Sequence, residues 1–182
     1  MNLTILDSKT ADGRSWYLCK ANAKEYLSEL KIGFYDFAIQ RQIVKNQYLD
    51  KLFSTIKNKD PISIITLTSS IPLNMTENMA MLDLENVDIL DGLQRTFRLW
   101  AYLTLANTYE NFPTKNSYRD FAKFIKDTYP IFFETNVITT NLIKSLIESG
   151  EINSIKDILA DYECQATFKN DHLRQIKMTS LV

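Results

Sequence analysis

Histidine is nearly missing from this sequence: His172, near the C-terminus, is the only one. Zinc and related metal sites commonly rely on several imidazole ligands, so a multi-histidine metal site is excluded. A Ser-His-Asp triad would have to recruit this single tail residue. The sequence therefore excludes much of the chemistry that depends on imidazole.

Cysteine is also scarce, and Cys19 and Cys164 lie far apart in the sequence. Two such residues make neither a zinc-binding pattern nor a disulfide framework. The polar N-terminal residues do not resemble a signal peptide, and no long apolar run is present. We therefore expect a cytoplasmic protein in a reducing environment, without association with a membrane.

Positive charge is not in excess, because 22 Asp and Glu residues balance 21 Lys and Arg residues, for a formal net charge of -1. No global positive field attracts nucleic acid, so any DNA binding has to rest on a local basic surface. Glycine and proline are few, at 4 each, while 10 Phe and 9 Tyr are present in 182 residues. These counts predict one well-packed domain with few long loops.

Residues 87–100 contain the most informative stretch, which reads as a strand, an Asp-Gly corner and an amphipathic helix. Asp91 can cap that helix, and Gly92 lets the backbone approach another group closely. The start of a helix carries unpaired N–H groups and partial positive charge, and Gln94, Arg95 and Arg98 add donors at the same end. The stretch predicts a receptor for a phosphate group.

A purely structural role of this stretch is the alternative. A strand, an Asp-Gly corner and an amphipathic helix are a common way to turn a corner in an α/β protein. Asp91 could then simply pair with Arg95 across one helical turn. Local chemistry alone leaves both interpretations open.

The segment from Asp91 to Thr96, Asp-Gly-Leu-Gln-Arg-Thr, resembles the signature of the DGQHR-domain family. The best-known members of that family are the DndB-like regulators associated with DNA phosphorothioation. The segment is also similar to the Asp-Gly-Gln-Gln-Arg signature of GmrSD-type modification-dependent restriction enzymes, and more distantly to the phosphate-binding turn of ParB and sulfiredoxin. Leu93 and Gln94 stand where the strict pattern has Gln and His, so the imidazole is absent, while the Asp, Gly and Arg are retained.

The order of the upstream segments also resembles that family, over roughly residues 15–105. Residues 16–27 are similar to its opening strand and first helix, and Ala38-Ile39-Gln40-Arg41 resembles its Gln-Arg segment. Gln40 and Arg41 are therefore expected to be further members of the same polar site. The resemblance implies an α/β (α+β) fold of the ParB/sulfiredoxin-like kind, with residues 1–108 as the family domain and 109–182 as its helical extension.

Hydrophobic spacing and capping signals predict the individual elements. Strands are expected at residues 16–19, 62–68, 87–90 and 129–133, with the first three in one mixed sheet. Asn22 and Ser117 are expected to cap helices that end at Leu30 and Thr128. Further helices are predicted at residues 40–57, 93–105, 140–149 and 154–162, with a variable connection at 69–85 and a last strand or helix from Cys164.

Two other groups of residues allow more than one interpretation. Met75, Met79 and Met81 could form a soft-metal or flexible binding surface, but core filling is the expected role. A basic strip on the predicted helix 118–128 could bind a nucleic-acid backbone with stacking, or could simply be a solvated helix face. The strip consists of Lys115, Arg119, Lys123 and Lys126, interleaved with Tyr118, Phe121 and Phe124.

Three functions follow from these observations. The first, implied by the resemblance, is a DGQHR/ParB-like protein that binds DNA or a nucleotide in DNA modification or phage defence, alone, as a homo-oligomer or with partner proteins of such a system. The second is an NTPase or nuclease of the same fold, in which Asp91 would be the catalytic carboxylate that orients a water or holds Mg²⁺ through its waters, and Mg²⁺ would accompany the nucleotide. The third is a non-catalytic partner-binding protein.

Overall fold

A computed structural model describes residues 1–31, 33–35, 49–69, 71, 73–113 and 117–171. Gln40, Arg41, Lys115 and His172 therefore lie outside the described residues, and the expectations for them stay predictions. None of the helices in the described ranges is long and apolar enough to cross a membrane.

The chain begins with a long hairpin of two antiparallel strands, β1 (Asn2–Ala11) and β2 (Arg14–Asn22). Asp12 and Gly13 form its turn with φ angles of 53° and 71°, the left-handed conformation that two-residue hairpin turns require. Strand β2 is longer than the strand expected at residues 16–19, and β1 lies outside the strands predicted from the sequence. Pairing across the hairpin extends them through polar residues that carry little hydrophobic signal.

The remaining strands join this hairpin in one sheet. They are β3 (Ile65–Ser69), β4 (Asn74–Thr76), β5 (Met79–Met81), β6 (Asp88–Asp91) and β7 (Glu163–Asp171), in the order β4-β5-β1-β2-β7-β3-β6. The β3–β7 pair is parallel and the other pairs are antiparallel. The expected mixed sheet is confirmed. The connection predicted at residues 69–85 contains β4 and β5, and the segment 109–182 supplies the strand between β2 and β3.

The sheet curls so that its two ends approach each other. In a flat sheet, β5 and β6 would lie about 24 Å apart, since strands are spaced by about 4.8 Å. Residues 82–87 join these two strands and include a 3-10 turn at Leu84–Asn86, so they span less than an extended chain of that length. Ser69 from β3 accordingly lines a common groove with Met81 from β5.

Seven helices accompany the sheet in the described part of the chain. They are α1 (Ala23–Ser28), α2 (Leu52–Lys57), α3 (Leu93–Glu110), α4 (Tyr118–Thr128), α5 (Pro130–Glu134), α6 (Thr140–Glu148) and α7 (Ile155–Ala160). The predicted caps are confirmed, because the Asn22 side chain accepts from the Glu25 N–H and that of Ser117 from the Asp120 N–H. Of the helix predicted at residues 40–57, the described part is α-helical only from Leu52.

Helix α3 is the centre of the hydrophobic core. Phe97, Ala101 and Leu105 are fully buried on it, and the helix packs against α1 and α7. The Tyr26 hydroxyl of α1 lies 3.1 Å from the Thr96 hydroxyl, which ties the first turn of α3 to the N-terminal half of the chain. The helix that follows the signature corner is thus fixed by core packing over most of its length.

An aromatic cluster joins α3 to the helices that follow it. Phe97, Trp100 and Phe132 lie with ring centroids 5.2 to 5.8 Å apart. A strand was predicted at residues 129–133, but Pro130–Glu134 form α5, and that prediction is wrong. Pro130 occupies the first helical position, where its missing N–H costs nothing, and the aromatic side chains that suggested a strand pack into this cluster.

Candidate functional site at the start of helix α3

The corner between β6 and α3 is made by Gly92, which has a φ of 93° and occupies the N-cap position of α3. The first helical hydrogen bond runs from the Thr96 N–H to the Gly92 carbonyl at 2.9 Å. Asp91 was expected to cap this helix, and that expectation is wrong. Because the left-handed glycine makes the corner, Asp91 is the last residue of β6. In the part of the chain that the structure describes, no side chain caps α3.

Asp91 instead pairs with Arg95 across one turn of the chain. Asp91 Oδ2 lies 3.3 Å from Arg95 Nη2, which also donates to the Ile64 carbonyl at 3.2 Å. The Asp91 side chain is 72% exposed, whereas that of Arg95 is 19% exposed. This is the ion pair that a structural role predicts. A pair so close to solvent contributes only about 0.5 kcal/mol, so it holds Arg95 in place weakly.

Gly92 is also required by close packing. A Cβ atom at this position would lie 3.2 Å from Arg95 Nη2, 3.2 Å from Ile65 Cγ1 and 3.4 Å from the Ile65 Cα. The close approach that the sequence suggested is therefore made to the chain itself, where β3 passes under the corner.

Arg98, one turn further along α3, is buried against an acidic partner. Its residue exposure is 5%, and Nη1 donates to Asp50 Oδ1 at 2.7 Å. Asp50 is itself 58% exposed at the side chain. For Arg98 to contact a phosphate, this pair would have to open, so its predicted binding role needs a rearrangement that Arg95 does not.

Of the other predicted members of the site, Gln94 is among the described residues, whereas Gln40 and Arg41 lie outside them. Gln94 lies in the first turn of α3, half-buried and in contact with other parts of the chain. The structure thus brings Asp91, Gly92, Gln94 and Arg95 together at one turn.

Acidic groups are spread along β6 rather than gathered. Asp88 begins the strand and pairs with Lys31 at 3.3 Å, whereas Asp91 ends it. Within the described residues, no three or more His, Cys, Asp and Glu side chains form a group that could hold a metal ion. Mg²⁺ bound with a nucleotide remains a prediction.

Both thiols are buried in the sheet and free. Burial raises the pKa of Cys19 and of Cys164 to about 11. Each thiol is therefore protonated near neutral pH, and a protonated thiol is a poor nucleophile. These residues serve as small core side chains.

The basic strip of α4 lies on an exposed helix face. Phe121 is fully buried, but Phe124 is 44% exposed and lies 5.5 Å from the Phe112 ring. The guanidinium of Arg119 and the ammonium of Lys144 lie 5.8 and 5.6 Å from the centroid of the Tyr118 ring. Such a face is compatible with a solvated helix and with a bound polyanion.

The methionines at residues 75–81 were expected to fill the core, and this expectation is wrong. Met75, Met79 and Met81 are 39%, 46% and 64% exposed. Met79 and Met81 alternate along β5 and so share one side of the sheet, whereas Met75 pairs with Ala80 and lies on the other side. The three thioethers therefore do not converge on one point.

Sequence reasoning missed the groups that hold the arginines. The Ile64 carbonyl is 31 positions from Arg95, and Asp50 is 48 positions from Arg98. No local spacing connects residues so far apart. These partners become visible only when β3 and the segment before α2 are placed beside α3.

No protein-family model, no curated protein and no solved structure matches this chain. The resemblance to the DGQHR-domain family therefore rests on the signature residues and on the order of the upstream segments.

Proposed function

We propose that the start of α3 binds a phosphate group of a nucleotide or nucleic acid, in a DGQHR/ParB-like protein that serves DNA modification or phage defence. One observation carries the proposal: among the described residues, this helix has no capping side chain and no acidic residue in its first turn, yet Arg95 lies there. The helices α1, α4 and α6 are capped by Asn22, Ser117 and Thr139, whereas α2, α5 and α7 also lack a side-chain cap but have no arginine in the first turn. An uncapped helix start with a guanidinium beside it suits an anion.

Arg95 has a partner that a phosphate can replace. Its guanidinium carries five N–H donors. The N–H groups on Nη2 donate to the Ile64 carbonyl and to the exposed Asp91 carboxylate. A phosphate offers more negative charge and more acceptor oxygens than a carboxylate. In this proposal Ile64 keeps the guanidinium at the corner, and the phosphate takes the place of Asp91.

The role of Asp91 separates binding from hydrolysis. In passive recognition, the Asp91 carboxylate competes with the phosphate for Arg95 and repels it. In an NTPase or nuclease, the same carboxylate would orient water or Mg²⁺ and would be required for product release. The substitution Asp91→Asn therefore has opposite consequences in the two cases.

The test is a calorimetric titration of the protein with nucleoside triphosphates and with short single- and double-stranded DNA, with and without Mg²⁺. Wild type is compared with Arg95→Lys, which keeps the charge but loses the planar fork, and with Arg14→Lys at the exposed start of β2 as the matched control. We expect Arg95→Lys to weaken binding about 10-fold or more, Arg14→Lys to leave it unchanged, and Asp91→Asn to preserve or tighten it. If wild type releases product and Asp91→Asn does not, the site hydrolyses its ligand. If Arg95→Lys binds as tightly as wild type, the start of α3 is not the binding site.

A partner-binding function is the second candidate, and the exposed methionines favour it. Met79 and Met81 present flexible apolar side chains on one side of β5, next to the short edge strand β4. Exposed apolar groups at a sheet edge are typical of contact surfaces. Light scattering on wild type and Met79→Lys would test self-association: a dimer that dissociates in the variant supports it, and a monomer in both contradicts it.

A further inference from the structure

A groove of about 220 Å³ lies where the curled sheet brings the end of β3 near the end of β5. Among the described residues, Ile71 and Met81 contribute exposed apolar side chains to its wall, with exposures of 46% and 64%. Asn74, Asp83 and Asn86 contribute polar groups from β4 and from the 3-10 turn. Its volume is below the roughly 300 Å³ at which pockets for drug-sized ligands begin, so it suits one ring system.

Asp83 gives this groove unused acceptor capacity. Oδ1 accepts from the Glu85 N–H at 3.0 Å, and Oδ2 accepts from the Asn86 side-chain amide at 2.7 Å. An ionised carboxylate has about four lone-pair sites, so each oxygen can accept once more. No described Lys or Arg lies within 4 Å of this carboxylate as an ion-pair partner. The groove therefore favours a ligand edge with two adjacent N–H donors.

Buried polar residues build the wall behind Ile71. Asn170, opposite Ser69 in the β3–β7 register, is 2% exposed and donates from Nδ2 to the Ile71 carbonyl at 2.7 Å. Ser69 Oγ accepts from the Ile71 N–H at 2.9 Å, so its own hydroxyl proton remains to be donated. Asn170 Oδ1 is buried without a donor among the described residues. The two hydrogen bonds with Ser69 and Asn170 hold the Ile71 backbone in place on this wall.

We propose that this groove binds one nucleobase with an amino-bearing edge, and that guanine is the base it fits. Guanine presents N1–H and N2–H side by side, the pair that the Asp83 carboxylate can accept, and a carbonyl for an asparagine amide or the Ser69 hydroxyl. The ring face packs on Ile71 and Met81, where the flexible thioether adapts to a planar surface. The groove lies at the Asp88 end of β6, about 10 Å from the Asp91 end, so it is separate from the proposed phosphate site.

The experiment is an NMR titration of the whole chain with guanosine, inosine, adenosine and thymidine, none of which carries a phosphate. Inosine lacks only the 2-amino group, so it is expected to bind at least about 10-fold more weakly than guanosine, through the loss of one hydrogen bond to a charged group. Met81→Lys should abolish guanosine binding, and Met79→Lys, on the same side of β5 but outside the groove, should not. Asp83→Asn retains a good helix-capping residue but removes the charge, and should weaken binding similarly.

The outcomes separate this proposal from the phosphate site. Guanosine binding that persists in Arg95→Lys supports the groove whatever the phosphate titration gives. Equal binding of guanosine and inosine, or no binding of guanosine to wild type, overturns the proposal. Circular dichroism checks that each variant folds. If Met81→Lys does not fold, the comparison of guanosine with inosine on wild type decides whether the groove binds guanine.

Discussion

Replacing Gly92 with alanine tests whether the corner before α3 depends on packing as well as on backbone conformation. Gly92 has a φ of 93°, and an added Cβ would lie 3.2 Å from both Ile65 Cγ1 and Arg95 Nη2. Gly150 offers a matched control, because it also precedes a helical turn with a positive φ, of 72°, but its Cβ would meet nothing within 4 Å. Both substitutions place an L-residue at a positive φ, whereas only the one at Gly92 also crowds the chain.

The expected magnitudes follow from these two terms. A left-handed conformation costs an L-residue about 1–2 kcal/mol, and loss of glycine's freedom in the unfolded chain returns about 0.4–1 kcal/mol. Gly150→Ala should therefore lower the free energy of unfolding by about 0.5–1 kcal/mol. Crowding against β3 adds about 1.5–2 kcal/mol at Gly92, within the usual range for overpacking. Gly92→Ala should thus cost about 2–3 kcal/mol.

Urea unfolding followed by circular dichroism measures both values. With a slope of about 2 kcal/mol per molar urea, the midpoint should fall by about 1–1.5 M for Gly92→Ala and by less than about 0.5 M for Gly150→Ala. In an Ile65→Ala background, which removes the Cγ1 contact, the extra cost at Gly92 should shrink, since residues in contact are coupled. Equal midpoints for the two glycine variants, or full additivity with Ile65→Ala, would refute the packing argument.

Two further predictions concern buried charge and buried thiols. Asp50→Ala, which removes a partner of the buried Arg98, should cost about 1–2 kcal/mol in urea unfolding, whereas Asp161→Ala, from an ion pair 68% and 74% exposed, should change stability by less than about 0.5 kcal/mol. Equal effects would contradict the burial argument. Cys19 and Cys164 should resist a thiol reagent at pH 8 until urea unfolds the chain. Because burial raises the pKa of both thiols from about 9 to about 11, the unfolded chain loses these protons first, so their contribution makes stability fall between pH 9 and 11. A double Cys→Ala variant should lose this contribution to the decrease of stability with pH. Rapid reaction of the native thiols with the reagent would contradict the prediction.

Local signals predicted the elements whose cause is local. Asn22 and Ser117 cap helices because a short polar side chain can satisfy an N–H group a few residues ahead, whatever the rest of the chain does. The order of a strand, the Gly92 corner and a helix was predicted because its signals are also local. Strands β4 and β5 were missed, because three residues are too few to show apolar alternation, and both strands exist through pairing, β5 with β1 and β4 with β5.

In the candidate site, too, the local contacts were predicted and the contacts with distant segments were missed. The Asp91–Arg95 pair spans one helical turn and was foreseen as the structural alternative. The position of Asp91 was not foreseen, because a shift of one residue decides whether Gly92 or Asp91 occupies the N-cap of α3. Asp50 and Ile64, which hold the two arginines, come from distant segments that only the tertiary fold brings to α3.

The central position of β7 also determines when this sheet can form during synthesis. Arg14 to Asn22 pair along their whole length with residues 163–171, and β3 pairs with the same strand on its other side. At translation rates of about 5–20 residues per second, the ribosome needs on the order of ten seconds to move from β3 to β7. During that interval β2 and β3 each expose an unpaired edge, the kind of template on which other chains assemble. The nascent chain therefore needs chaperone protection most after β3 has been synthesised and before β7 has been.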